Sequence, residues 1–106
     1  MNNKLNSMLS LAQKAGAIKS GEEICEKIIA SGEAYLALIA SDASDNTKKK
    51  FTNKCHFYDV PLYDYFSKGD IERRTGLVNR AILVVTNQNL AIKLIELLNI
   101  AMSGGV

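Results

Sequence analysis

The sequence predicts an α/β fold, a three-layer α/β/α sandwich with a central sheet of about four strands. Three observations carry that expectation. Segments with helical apolar spacing alternate with short extended ones from end to end. Two runs, 34–40 and 81–85, are apolar at every position, as in strands covered on both faces. Ser, Thr, Asp or Asn stands ahead of most helical segments, where it can accept from free backbone amides. At 106 residues, 47% hydrophobic and 23% charged, the chain suits a single domain over 1–106 that needs neither disulfide nor metal.

Leu5, Met8, Leu9, Ala12 and Ala15 recur at helical spacing, so Asn3–Lys14 reads as a first helix, stopped near Gly16. Ala17, Ile18 and Lys19 are extended in character. Ser20 opens a Ser-Gly-Glu-Glu capping box, in which its hydroxyl accepts from the Glu23 amide and the Glu23 carboxylate accepts from the Ser20 amide. The second helix is then expected to start at Gly21, with Ile24, Cys25, Ile28 and Ile29 as its apolar stripe, Glu23 and Lys27 as a stabilising pair, and Ser31-Gly32 as its end. The run 34–40 is the central strand. A polar turn over 41–46 follows, where Ser44 or Asp45 starts a helix over 47–54 with Phe51 and Cys55 inward. The next strand is expected over 56–62, at an edge or a terminus because it contains Pro61. Ser67 and Asp70 form another capping box, opening a short helix through Thr75 that Gly76 ends. After the strand at 81–85, Thr86-Asn87 caps a last helix, Gln88–Met102, with Leu90, Ala91, Leu94, Ile95, Leu98 and Ala101 inward; 103–106 reads as a frayed tail.

The residues argue against most chemistry. Two cysteines, Cys25 and Cys55, and one histidine, His56, supply no metal set and no cofactor site, and the cysteines read as buried reduced thiols. No glycine series joins a strand to a helix in the manner of a phosphate loop, and no nucleophile elbow is present, so no enzyme is expected. The longest apolar run is far short of the ~18 residues of a membrane span, and no signal peptide opens the chain, which points to a soluble cytoplasmic protein. A net charge of +2 does not announce nucleic acid. Lys48, Lys49, Lys50 and Lys54 read as a solvated helical face, whereas Lys68, Arg73, Arg74 and Arg80 surround a glycine in a loop. The amide end of the second helix carries partial positive charge, a seat for a polyanion or for polar base edges, although Glu22 and Glu23 could satisfy it themselves.

The stretches 14–27, 38–49 and 58–61 together resemble the kink-turn-binding ribosomal family of the L-seven-Ae and L-thirty-e type, in particular its small bacterial members. The likeness runs in unbroken order over roughly the whole of 5–98. It implies an α/β/α sandwich that binds RNA without catalysis, its partner a kink-turn or kink-loop in ribosomal or regulatory RNA, the ribosome included. By motif, the strand-to-helix junction that reads tandem G·A pairs maps to Lys19, Ser20, Gly21, Glu22, Glu23 and Lys27. The second loop, which covers an extruded nucleotide, maps to 71–76 and so to Ile71, Arg73, Arg74, Thr75 and Gly76, with Lys68 beside it.

Two departures keep a second function open. Glu23-Ile24 stands where the family has Asn-Glu, so a carboxylate replaces an amide that both donates and accepts. The second loop keeps only the ends of the family's Leu-Gly-x-Ala-x-Gly, with Glu72 set to repel a phosphate. The alternative is the same fold used as a protein-interaction module or as a binder of another RNA shape.

Overall fold

The computed structural model describes residues 3–103. In chain order they form α1 (Asn3–Lys14), β1 (Ile18–Ser20), α2 (Glu22–Ser31), β2 (Leu36–Ile39), α3 (Asp45–Phe57), β3 (Leu62–Tyr63), α4 (Lys68–Thr75), β4 (Ile82–Val85) and α5 (Gln88–Met102). The four strands lie in the order β1-β4-β2-β3. β4 is antiparallel to both β1 and β2, and β2 pairs parallel with β3. The inner strands β2 and β4 are buried at every residue, which is why their sequences hold no polar position. α2 packs on α3 and against β1 and β4, while α1 packs on α4 and α5. The sheet therefore lies between a layer of α2 and α3 and a layer of α1, α4 and α5, as expected. Leu5, Leu9, Ile29, Phe51, Ile71, Leu94 and Leu98 bring all five helices onto β2 and β4 in one core.

Local capping fixes three of the helix starts. Ser44 accepts from the Thr47 amide at 3.2 Å and Asn87 from the Leu90 amide at 2.9 Å. Ser67 and Asp70 complete their reciprocal box at 3.1 Å in each direction. The box expected at Ser20 does not form. Ser20 is the last residue of β1, held opposite Leu83, and the cap position falls one residue later, on a glycine with no side chain to accept anything. Ile24 also departs from the expected stripe. Cys25 and Ile29 are buried and Ile28 half-buried, but Ile24 is 53% exposed, at the outer margin of the stripe. Ala15, placed with the first stripe, is exposed beyond the end of α1.

The strand expected over 56–62 is shorter and later. Phe51 and Cys55 are the buried residues of α3, which runs on to an exposed Phe57. Its end then turns through Asp59 at φ 58°, with the Asp59 amide donating to the His56 carbonyl and the Val60 amide to the Cys55 carbonyl at 2.8 Å. That leaves only Leu62–Tyr63 for β3, which lies at the sheet edge as Pro61 implied. The tail at 103–106 lies outside the described residues apart from Ser103, whose amide closes α5 on the Asn99 carbonyl at 3.1 Å.

Candidate nucleic-acid interface

β1 and β2 end where antiparallel β4 begins, so the connections into α2, α3 and β4 open together at one end of the sheet. Backbone bonds join them: the Gly21 amide donates to Ile82 at 3.3 Å and the Ala40 amide to Ala81 at 2.8 Å. The start of α4 reaches the same end, where the Ser41 amide donates to Phe66 at 2.8 Å and the Lys68 amide to an Asp42 carboxylate oxygen at 2.9 Å.

Gly21 sits at φ 101° and ψ 141°, a conformation that side-chain-bearing residues rarely adopt. A β-carbon there would face the Arg80 guanidinium at 3.8 Å and meet no other atom within 4 Å among the described residues. The arrangement leaves backbone open to solvent beside a cation. Because Gly21 caps α2 without a side chain, the first-turn amides of Glu22, Glu23 and Ile24 have no partner among the described residues. In α3, α4 and α5 a Ser or Asn side chain takes up one such donor.

The first-turn acids have separate fates. Glu22 is drawn sideways to α3: its carboxylate lies 2.8 Å from Lys50 Nζ and accepts from the Thr47 hydroxyl at 3.2 Å. Lys50 also holds Glu26 at 2.9 Å. The Lys50 hydrogen bond, helped by its charge and by Thr47 and opposed by partial burial, keeps the Glu22 carboxyl below its ordinary 4.5. Hydrogen bonds that the Lys50 ammonium donates to the Glu22 and Glu26 carboxylates raise its pKa in turn. Glu22 is therefore a clamp between helices. Glu23 and Lys27 form no ion pair with each other among the described residues, contrary to their spacing, and both are exposed. Ile24 is exposed with them, and Lys19 is exposed on β1.

Residues of the expected second loop lie elsewhere. The segment 71–75 is helix, and Ile71 is wholly buried in the core, unable to touch a ligand. Arg73 pairs with Asp70 on its own helix. Arg74 lies against α1: its carbonyl accepts from the Ser10 hydroxyl at 2.9 Å, and it lines a shallow depression with Asn6, Ser10 and Lys14. Thr75 donates to the Ile71 carbonyl and accepts from the Leu77 amide, while Gly76, at φ 78°, ends the helix. Among the described residues, none of Arg73, Arg74, Thr75 and Gly76 comes within 4 Å of a β-carbon placed at Gly21; Lys68, half-buried, reaches the sheet end through its amide. The stretch just after them does arrive there. Val78 is 62% exposed, Asn79 turns the chain at φ 55°, and Arg80 faces Gly21. In the sequence Arg80 reads only as one of four cations around a glycine in a loop. Its place follows from the β1–β4 register, which sets Ser20 opposite Leu83.

The surroundings of the reactive side chains are inert. Burial, with a smaller contribution from Cys55, pushes the Cys25 thiol up to about 12, and burial pushes Cys55 to about 11. Among the described residues no group of three or more His, Cys, Asp or Glu could hold a metal ion. No described helix is long and apolar enough to cross a membrane.

Residues 3–95 match the family described as Ribosomal protein L7Ae/L30e/S12e/Gadd45. The protein named RNA-binding protein YlxQ in Bacillus subtilis (strain 168) is 41% identical over 92 residues, covering 87% of this chain and 92% of its own. The YlxQ protein of Enterococcus faecium is 35% identical over 84 residues, 79% of this chain and 82% of its own. A solved protein of unknown function from Bacillus halodurans C superposes with a TM-score of 0.87 at 31% identity, over 91% of this chain and 97% of that one. The Giardia lamblia 15.5kD RNA binding protein gives 0.75 at 23% identity, over 94% and 85%, a likeness of fold. With residues 3–95 matched to the family and 87% of its length matched by a relative 41% identical to it, the chain belongs to the ribosomal protein L7Ae/L30e/S12e/Gadd45 family.

Proposed function

We propose that this protein binds structured RNA without catalysing a reaction, and that it reads a kink-turn at the sheet end where Gly21 faces Arg80. The observation that carries the reading is the uncapped first turn of α2, opened by a glycine that Arg80 faces, with Lys19 on the strand before it and Lys27 further along the helix, none of the three in an ion pair among the described residues. Each part has a physical task. Gly21 lets the RNA approach backbone, and the free amides of the first turn donate to it. The Glu23 carboxylate accepts from the amino group that guanine presents in the minor groove. Lys19, Lys27 and Arg80 meet phosphates and so fix the register. Val78 offers an apolar cover for a base that has left the stack. The RNA-binding names of the two YlxQ relatives support the class of partner, and ribosomal or regulatory RNA of this shape, within the ribosome or outside it, is the candidate.

Exposed Ile24 favours the second reading, in which the same fold serves another RNA shape or a protein partner. A titration separates the two. The protein is tested at near-physiological salt against a short kink-turn RNA and against the same RNA with its tandem G·A pairs replaced by Watson–Crick pairs. Tight binding to the first and much weaker binding to the second is the expected result. Equal weak binding to both would overturn kink-turn reading and leave the second.

A further inference from the structure

α3 is basic along its length, with Lys48, Lys49, Lys50, Lys54 and His56 against Asp45 as its one acid. Two of the four lysines are engaged: Lys48 donates to the Ser41 carbonyl at 2.6 Å, and Lys50 holds Glu22 and Glu26. Lys49 and Lys54 have no carboxylate partner among the described residues. At the far end of the helix, Phe57 is 77% exposed and Tyr58 40%. Their rings meet edge to face with centroids 4.9 Å apart, and Lys54 Nζ stands 5.9 Å from the centre of the Tyr58 ring. Lys50, Asn53, Lys54, Phe57 and Tyr58 line an open depression of about 480 Å³ with no carboxylate in its wall.

We propose that this platform is a second nucleic-acid contact, where Phe57 stacks an unpaired nucleotide that flanks the bent RNA and Lys49 and Lys54 meet its phosphates. The inference rests on the kink-turn reading above. Single exposed apolar side chains are ordinary, but this one is braced by a second ring and surrounded by ammonium and amide groups. Lysine is depleted from the cores of protein–protein interfaces, whereas aromatic faces among cations are the composition of single-strand sites. Placement agrees. Glu22 meets Thr47 and Lys50, and Glu26 meets Lys50, so α2 and α3 run side by side in the same direction away from the sheet end. Ten residues of helix separate Thr47 from Phe57, about 15 Å, which a strand rising ~3.4 Å per stacked nucleotide covers in about five.

The test compares the bare kink-turn RNA with the same RNA carrying an unpaired tail of about eight mixed adenine and uridine nucleotides at either end. A tail should tighten binding of the unaltered protein at least about fivefold, and Phe57→Ala should remove that gain. The same variant should leave the affinity for bare RNA and the melting temperature unchanged, because Phe57 is a surface side chain away from the sheet end. Phe57→Trp should keep the gain. A 2-aminopurine in the tail should change fluorescence on binding, and cease to do so in Phe57→Ala. If the bare RNA binds and the tail adds nothing, or adds the same in Phe57→Ala, the platform is not a nucleotide site and the inference fails alone. If neither RNA is bound by the unaltered protein, the kink-turn reading fails and takes this inference with it.

Discussion

Replacing Gly21 with Ala separates what the glycine does for folding from what it does for binding. At φ 101° any side chain is strained whatever space surrounds it, and a residue held in such a region costs about 1–3 kcal/mol. Crowding adds little, since the new β-carbon would lie 3.8 Å from Arg80 Nη1, an ordinary contact. A domain of this size is stable by about 5–15 kcal/mol, so the variant should remain folded at room temperature. Its melting temperature should fall by about 4–8 °C for each kcal/mol lost. Binding should suffer separately. The methyl group stands between the uncapped amide turn and Arg80, and loss of one charged hydrogen bond there, at about 1.5–3 kcal/mol, lowers affinity by roughly 10- to 150-fold. Thermal denaturation followed by circular dichroism reads the first effect. An RNA titration below the transition reads the second. An unchanged melting temperature would refute the strain argument, and unchanged affinity in the folded variant would refute the placement of RNA at Gly21.

Ile24→Glu places an acid at the third position of an exposed helical start, which favours negative charge by about 0.3–1 kcal/mol. It supplies the acid that the family resemblance implies at this position, so on the proposed reading kink-turn affinity should rise while melting stays close to that of the parent; unchanged affinity would move this helical face off the RNA. Lys27→Ala together with Arg80→Ala should make the log-log dependence of affinity on salt shallower by about two units, and an unaltered slope would deny both residues a phosphate. The Glu22–Lys50 clamp makes a prediction in pH. Because the folded pKa of Glu22 is lowered from 4.5, the stability it contributes is complete above that value and is lost as pH falls through the lower folded one. Melting curves of the parent and Lys50→Ala should therefore converge as pH drops below 4.5, and a gap that widened on acidification would contradict the clamp.

Much of the fold was legible because its signals are local. The caps at Ser44, Ser67 and Asn87 act over three residues, and the spacing of Leu5, Leu9 and Ala12, or of Ala91, Leu94 and Leu98, records which face of a helix is inward. Where sequence reading failed, a distant partner had decided. Ser20 has the right neighbours for a capping box, but the ladder with β4 holds it as strand, which no local pattern states. Four apolar residues in α2 read as one stripe; contact with β1 and β4 buries Cys25 and Ile29 and leaves Ile24 out. The end of α3 depends on Asp59 accepting a left-handed turn that glycine more often takes. The candidate site divides in the same way. Gly21 and Lys27 stood out as residues, whereas Arg80 became part of it only through strand register, and Ile71 left it once α4 was seen to carry that side chain into the core.

The acids of α2 are the strongest physical objection to an RNA site there, since Glu22, Glu23 and Glu26 within one and a half turns would repel a phosphate chain. The packing of α3 answers it. Lys50 reaches across to Glu22 and Glu26 together and turns two of the three charges into a helix-to-helix tie, away from the open surface. Of the acids of α2, one carboxylate, Glu23, then stays out of an ion pair, as do the cations Lys19, Lys27 and Arg80, the last of which faces Gly21. That local surplus of positive charge is invisible in a net charge of +2. It is also modest, with cations for only a few phosphates, so bulk attraction would supply little affinity for duplex RNA in general. On the proposed reading, discrimination would then fall to the amide donors and the Glu23 acceptor, groups suited in chemistry to a bent backbone and exposed base edges. A small, nearly neutral chain would owe such selectivity to the fixed start of α2, which follows directly from the β1–β4 ladder.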